Sequence, residues 1–338
     1  MFVGMTPVRL SFSGGGTDMP EYYEKYGGCV ISTNINKFTY VVINSKLDNS
    51  FQAFSSDFET HHKKTDYERL EPKHGTEIPI SVVKYFKYKM GGDFLICSDV
   101  PPGSGLGASS ALTVNCINTI SSLMKKKLSK QKIADIAFHI ERNILKHPIG
   151  KQDDYIASFG GFNYIKFEKD VIKVNPIKIK KSTINELEKN LLLFFVGDTR
   201  KNSNVLSKQL KNTKQENKNT IESLHTAKSL VDKFYDNLKN ADLMSIGELL
   251  HHGWIAKKQF AKGVTNDKID KIYQTALKFG ATGGKLTGAG AGGHLLLYCE
   301  TTKQKKVLKK MISLGLTSIP FNFHSTGPKI LNLYDYNK

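Results

Sequence analysis

The sequence predicts an α+β fold divided into two domains. Length is the first observation behind that reading: 338 residues exceed one ordinary core and suit two domains of common size. Rhythm is the second. Strand-length apolar runs mix with helix-spaced segments, but without the strict strand–helix–strand alternation of a doubly wound sheet. The third is a basic stretch near 168–190, which predicts an N-terminal domain over 1–185 and a C-terminal domain over 186–338.

Taken in order, alternating or continuous apolar residues predict strands at 41–46 (VVINSK), 94–100 (FLICSDV), 163–167 (NYIKF), 191–196 (LLLFFV) and 294–299 (HLLLYC). Helical spacing covers 111–124 and 129–145, with Ser129 as N-cap of the second. One or two helices fill 217–260, where Trp254 is assigned to the core. A last helix runs over 266–279 and ends on Gly280. On 129–145, Ile133, Ile136, Ala137, Ile140 and Ile144 form one apolar face; Glu141 falls on its flank, and Arg142 points away into solvent.

Composition narrows the function classes. A chain that is 39% hydrophobic and 24% charged reads as soluble and globular. Its longest apolar run, LLLFFV, is far short of a membrane span, and MFVGMTPVRL lacks the basic-then-apolar pattern of a secretory leader. A cytoplasmic protein is expected, with Cys29, Cys97, Cys116 and Cys299 as reduced thiols, because their spacing suits neither zinc nor a redox pair. The net charge of +18 is carried almost wholly by lysines scattered through polar stretches, Arg9, Arg69, Arg142 and Arg200 being the only arginines. A nucleic-acid groove wants clustered charge interleaved with aromatics, so no nucleic-acid partner is expected. The positive field suits small polyanions such as nucleotides and sugar phosphates.

The segment PPGSGLGASSA (101–111) lies between a strand and a helix and contains no lysine. A nucleotide loop of the G-x-x-x-x-G-K type is therefore excluded. A dinucleotide fold needs an acidic residue about 20 positions on, where this chain has KKKLSK, and the HRD and DFG signatures of protein kinases are absent. What remains is a glycine turn opening a helix at Ser109 and Ser110. Backbone N–H groups there bind phosphate without an ammonium, and serine hydroxyls can ligate magnesium.

PPGSGLGASSA resembles the central phosphate-binding motif of the GHMP kinases (galactokinase, homoserine, mevalonate and phosphomevalonate kinases). TPVRLSFSGGGTD (6–18) resembles their N-terminal substrate motif, and GGKLTGAGAGGH (283–294) their C-terminal glycine-rich motif. The resemblance implies an N-terminal domain with a left-handed βαβ crossover, a C-terminal ferredoxin-like domain, and an active site between them that uses ATP and Mg2+. It places the ATP phosphates on Pro102, Gly103, Ser104, Gly105, Leu106, Gly107, Ala108, Ser109 and Ser110, and the metal on Ser109 and Glu141. In GKQDDYIASFGGFNY (150–164), Asp153 matches the family's catalytic base, with Asp154 as an adjacent second carboxylate; Arg9 is the cation that orients it. Gly14, Gly15, Gly16, Thr17 and Asp18 are implied to bind substrate, through close backbone approach and a carboxylate that accepts hydroxyls.

Gly15 and Gly16 replace the acidic–histidine pair of galactokinases, which argues against galactose. Within the family, GGGTD-x-P with GKQDDY and GGKLTGAGAGG is similar to D-glycero-D-manno-heptose 7-phosphate kinases. That similarity implies phosphorylation of the anomeric C1 hydroxyl, supplying GDP-heptose for a surface polysaccharide. Arg200 and Lys285 are then expected to hold the existing phosphate, with Gly288 and Gly290 beside it. Rival readings are another sugar 1-kinase, fucokinase-like, and a non-catalytic relative that binds sugar phosphate or RNA. The intact set Arg9, Ser109, Glu141 and Asp153 argues against the latter. Small molecules are the expected partners, with no membrane, for a monomer or homodimer.

Overall fold

In the computed structural model, residues 1–197 and 203–333 are described. The chain opens with β1 (Phe2–Ser13), α1 (Pro20–Tyr26), β2 (Gly28–Ser45), β3 (Ser50–Ser55), β4 (Thr60–Asp66), α2 (Glu77–Phe86) and β5 (Gly92–Ser98). It continues with α3 (Ala108–Leu123), α4 (Lys130–Phe138), α5 (Gln152–Phe159), β6 (Asn163–Phe167), β7 (Ile172–Pro176) and α6 (Lys181–Lys189). Next come β8 (Leu191–Gly197), α7 (Ser203–Lys214), α8 (Lys218–Lys239), α9 (Leu243–Lys258) and α10 (Asp267–Phe279). The last elements are β9 (Gly283–Leu286), β10 (Gly293–Tyr298), α11 (Thr301–Ser313), β11 (Thr317–Ser318), β12 (Phe323–His324) and β13 (Lys329–Asn332).

The first sheet runs β13-β1-β2-β5-β3-β4, with β6 and β12 also paired to β2 and β7 paired to β6. The sequence shows only the end of β2, because 18 extended residues exceed any single alternating run. Its first half pairs with β6 and its second half with β5. β3 and β5 are parallel, joined by a connection that contains α2. Helix α3 lies close against β1 and β2 because Gly4 has no side chain: a Cβ there would meet Asn115 Oδ1 at 2.0 Å. Asn115 Nδ2 instead donates to the carbonyls of Gly4 (3.1 Å) and Thr39 (2.8 Å), which pins the helix over the strand pair.

The second sheet, β11-β8-β10-β9, is antiparallel throughout. Its strand β10 is buried throughout and β8 over residues 191–194, as expected of apolar runs covered on both faces. The stretch 217–260 is two helices broken at Ala241, whose φ is 58°. Both contribute to a core shared between the two halves: Phe12 of β1 packs on Phe162 (5.3 Å between centroids), Phe234 of α8 (5.5 Å) and Phe323 of β12 (6.1 Å). Trp254 is fully buried.

The predicted helix 129–145 differs from expectation. Ser129 caps it, accepting from Lys132 N, but the α-helix stops at Phe138 and a π-helical turn covers His139–Ile144. The wider turn rotates the later residues off the apolar face. Ile144 ends 42% exposed, Glu141 is 0% exposed, and Arg142 is no solvated charge: it donates to Ile149 O (3.0 Å) and to Glu21 (2.5 Å). All four cysteines are free thiols, and Cys97 is the half-buried one.

Candidate active site

Between β5 and α3 the chain turns through Gly103, Gly105 and Gly107, at φ 69°, 82° and 73°. A side chain at any of them would be strained. Gly107 is the N-cap of α3 and supplies no side-chain cap, so the first-turn N–H groups remain open to an anion. The third glycine segment leans directly on this loop. A Cβ on Gly105 would lie 2.7 Å from Thr287 O, one on Gly288 2.3 Å from Gly105 Cα, and one on Gly293 2.4 Å from Ser104 O. His294 adds a buried bond, Nδ1 to Ser104 O at 2.8 Å. Burial holds this ring below its ordinary pKa, and a carbonyl partner requires the proton on Nδ1.

A break in the β1–β2 register between Pro7 and Arg9 turns Arg9 inward beneath the loop. Its guanidinium donates to Asp153 through Nε (2.8 Å to Oδ1) and Nη2 (2.5 Å to Oδ2), and through Nη1 to Gly105 O (2.5 Å). Arg9 is 4% exposed, so this is a desolvated two-point pair that fixes the carboxylate in the first turn of α5. Both residues line a cleft of about 230 Å³ together with the glycine loop, Gly15, Gly16, Asp18, Gln152, Lys257 and Lys285. Asp18 accepts from Gly16 N (2.9 Å) and Gln152 N (3.1 Å). Burial raises its carboxyl above the ordinary value against those two donors.

Behind the loop lies a nest of buried acids. Ser109 donates to Glu141 Oε2 at 2.5 Å, while Glu141 Oε1 has no partner. His147 Nδ1 stands 3.6 Å from Glu141 Oε2, and that bond raises the imidazole above its usual value. Asp154 is fully buried beside Glu141 and Ser110, neither oxygen in hydrogen-bond geometry. Its carboxyl is pushed far up by burial, then by the charges of Glu141 and Asp153. A buried carboxylate with an orphaned oxygen beside a serine hydroxyl is a hard-oxygen donor set that fits magnesium, which needs few protein ligands when phosphate and water complete its shell. A second cavity, about 880 Å³, opens on the far side of the loop between Pro102, Ser109 and His147, with Ile78, Ile96 and Leu112 among its apolar walls.

Of the residues singled out in the sequence, the structure brings Arg9, Asp153, Gly15, Gly16, Asp18, Lys285, Gly288 and loop residues Gly103, Ser104, Gly105, Gly107, Ala108 and Ser109 to one cleft. Others it does not. The backbone of Gly14 packs on Cys29 O, and the Thr17 hydroxyl bonds Gly14 O (2.8 Å) and Cys29 O (3.0 Å), so both hold the turn from behind. Gly290 packs on Val264, Leu106 is in the core, and Ser110 faces the buried acids. Arg200 lies outside the described residues. Sequence reasoning missed Lys257, Gln152, Gln209 and His294. Gln209 Nε2 is buried in the cleft wall with no partner. An amphipathic helix pattern flags none of these; Gln152 and His294 fall inside the quoted stretches 150–164 and 283–294, which were the signal available for them.

Family models described as "GHMP kinases N terminal domain" and "GHMP kinases C terminal" match residues 77–161 and 234–315. The chain is 33% identical over 317 residues to a D-glycero-alpha-D-manno-heptose 7-phosphate kinase of Campylobacter jejuni, covering 90% of this chain and 91% of that one. It is 24% identical to a bifunctional fucokinase/GDP-fucose pyrophosphorylase of Arabidopsis thaliana, covering 90% of this chain and 30% of that protein. The crystal structure of a D-glycero-D-manno-heptose 1-phosphate kinase from Bacteriodes thetaiotaomicron superposes with a TM-score of 0.82 at 26% identity, covering 99% of this chain and all of that one. Among the described residues no helix is long and apolar enough to cross a membrane.

Proposed function

Because the chain belongs to the GHMP kinases and is a phosphotransferase acting on a sugar hydroxyl, we propose that it moves the γ-phosphoryl of ATP to the anomeric C1 hydroxyl of D-glycero-D-manno-heptose 7-phosphate. The reaction takes place in the cleft lined by residues of both halves, a reading the two-domain fold supports. The observation that carries the reading is the Arg9–Asp153 pair, set at the end of the phosphate loop and facing Gly15, Gly16 and Asp18 across the cleft.

The residues divide the work as follows. Loop amides and the N-terminus of α3 hold the nucleotide phosphates, and the apolar cavity beyond Pro102 takes the base. Ser109 and Glu141 would hold magnesium, which neutralises charge on the phosphates when bound. Asp18 and the amides of Gly15 and Gly16 orient the sugar. Asp153, fixed by Arg9, accepts the C1 hydroxyl proton as that oxygen bonds to phosphorus and ADP leaves. An anomeric hydroxyl is more acidic than other sugar hydroxyls, so a carboxylate suffices as base. The buried position of Arg9 lets it counter charge that builds near Asp153.

The two heptose-kinase relatives differ in name, one acting on a 7-phosphate and the other called a 1-phosphate kinase. Product analysis therefore decides. The protein is incubated with ATP, Mg2+ and heptose 7-phosphate, and the product is read by phosphorus NMR. An added anomeric, acid-labile phosphate is expected. A new phosphate elsewhere, or turnover only with an unphosphorylated sugar such as fucose, overturns the assignment.

A further inference from the structure

The sequence expectation gives Lys285 the sugar's phosphate but leaves its neighbour in the cleft wall, Lys257, without a task. The phosphate loop has no lysine of its own, yet two lysines from the C-terminal half close the same cleft: Lys257 in the last turn of α9 and Lys285 in β9. They are 9% and 6% exposed. Lys257 Nζ donates to Leu286 O (2.8 Å) and to Gly288 O; Lys285 Nζ donates to Phe12 O (3.1 Å). Among the described residues neither forms an ion pair with a carboxylate. An ammonium carries three donors, so each keeps an N–H without an acceptor.

Two ammonium groups set together in a buried wall without a counter-charge are costly. The charged groups facing them are Arg9 from β1 and Asp153 from α5, and Asp153 is already committed to Arg9. Burial, with Arg9 second, pushes Lys285 down to about 7. Burial also pushes Lys257 well down, helped by Lys285 and Arg9 and opposed by Asp153. The anchors indicate where each amine sits. Lys257 is tied to Gly288, which packs on Gly105 of the phosphate loop, whereas Lys285 is tied to Phe12, just before the Gly14–Gly16 turn on the sugar side.

We propose that Lys257 and Lys285 together form a phosphate-binding subsite in the cleft wall, supplying from the C-terminal half the cations that the glycine loop lacks. The ligand chemistry is a phosphate dianion, and its source is either the nucleotide's terminal phosphoryl or the phosphate already on the sugar. Arrival of the dianion removes the penalty on the charged amines, so binding takes up protons at neutral to mildly alkaline pH.

The test is calorimetric binding at pH 8, in buffers of different ionisation enthalpy, with two probes: the Mg2+ complex of a non-hydrolysable ATP analogue, and heptose 7-phosphate. Adenosine and unphosphorylated heptose serve as controls. Lys257→Gln and Lys285→Gln retain a donor for the carbonyls while removing the charge. The wild type is expected to take up protons with at least one phosphate ligand. Each variant should bind that ligand about 10- to 100-fold more weakly, with reduced proton uptake and control affinities within about threefold. The ligand affected identifies the source. Unchanged affinity for both phosphate ligands overturns the subsite, as does a parallel loss for the controls, which would mark the lysines as scaffold. Proton uptake by the wild type needs no variant, so a misfolded mutant does not shield the idea. Failure of the heptose reading shows differently, as no turnover of heptose 7-phosphate by the wild type, and leaves the nucleotide arm intact.

Discussion

Asp153 is held by two parallel bonds from Arg9, and a neutral amide would keep its size but not its ability to accept a proton. Asp153→Asn is expected to lower kcat by roughly 10²–10⁴-fold while nucleotide affinity stays within about threefold, checked by steady-state kinetics and nucleotide titration. Glu141→Gln tests the other acid. Oε1 is orphaned in the free protein, so the substitution should weaken Mn2+ binding to the nucleotide complex by about tenfold or more, read by electron paramagnetic resonance. Both residues entered the sequence reading through the resemblance of their stretches to family motifs, not through composition. Lys257 was not legible: in HHGWIAKKQF it reads as one more solvated lysine, and only the packing of α9 on β9 sends it inward. Gln209 escaped for the same reason, since nothing local distinguishes a buried amide from an exposed one.

Among the elements, the glycine loop and the segment resting on it are the most constrained. Gly105 has φ 82° and would place a Cβ 2.7 Å from Thr287 O; Gly197 has the same φ of 82° with nothing among the described residues within 4 Å. Gly197→Ala is expected to cost about 1–2 kcal/mol, the left-handed backbone term alone. Gly105→Ala should cost more, roughly 2–4 kcal/mol, and reduce kcat, because the carbonyl it strikes belongs to the opposite wall of the cleft. Thermal unfolding of the pair isolates that contact. Three glycines in five residues made this loop readable in advance. The π-helical turn at His139–Ile144 was not readable. A 3.6-residue period fits Ile133 to Ile140 well, and no residue in HIERNI signals a wider turn, so the sequence put Ile144 inside and Glu141 only on the flank. Strand β4 was missed because the polar residues of THHKKTD satisfy an edge position rather than a core one, and the inner strand β3 offers only the short run SFQAFS.

For the whole molecule, the buried lysines make stability depend on pH in a direction opposite to acid-stabilised pairs. Burial brings Lys285 down to about 7 in the folded state and also holds Lys257 well below its ordinary value, whereas the unfolded chain keeps both charged until about 10.4. The unfolded state therefore binds more protons between about pH 7 and 10, and stability rises with pH across that window. Denaturant midpoints at pH 7, 8 and 9 are expected to climb, and to climb less in Lys285→Gln or with saturating phosphate ligand. Buried thiols such as Cys29, raised by desolvation, act in the other direction and limit the gain above pH 9. Mixed strands and helices made the α+β class legible, but the pairing of distant strands was hidden, since register depends on partners hundreds of residues away. One such pairing has a further consequence. Strand β13 seals the outer side of β1, and β12 borders β2, so residues 323–332 complete a sheet begun at residue 2. During synthesis β1 leaves the ribosome long before its partner β13, and that edge stays bare until residues 329–332 follow. A polypeptide cut near residue 320 would keep every catalytic group yet carry an unpaired, sticky border, and its defect would be clumping rather than lost chemistry.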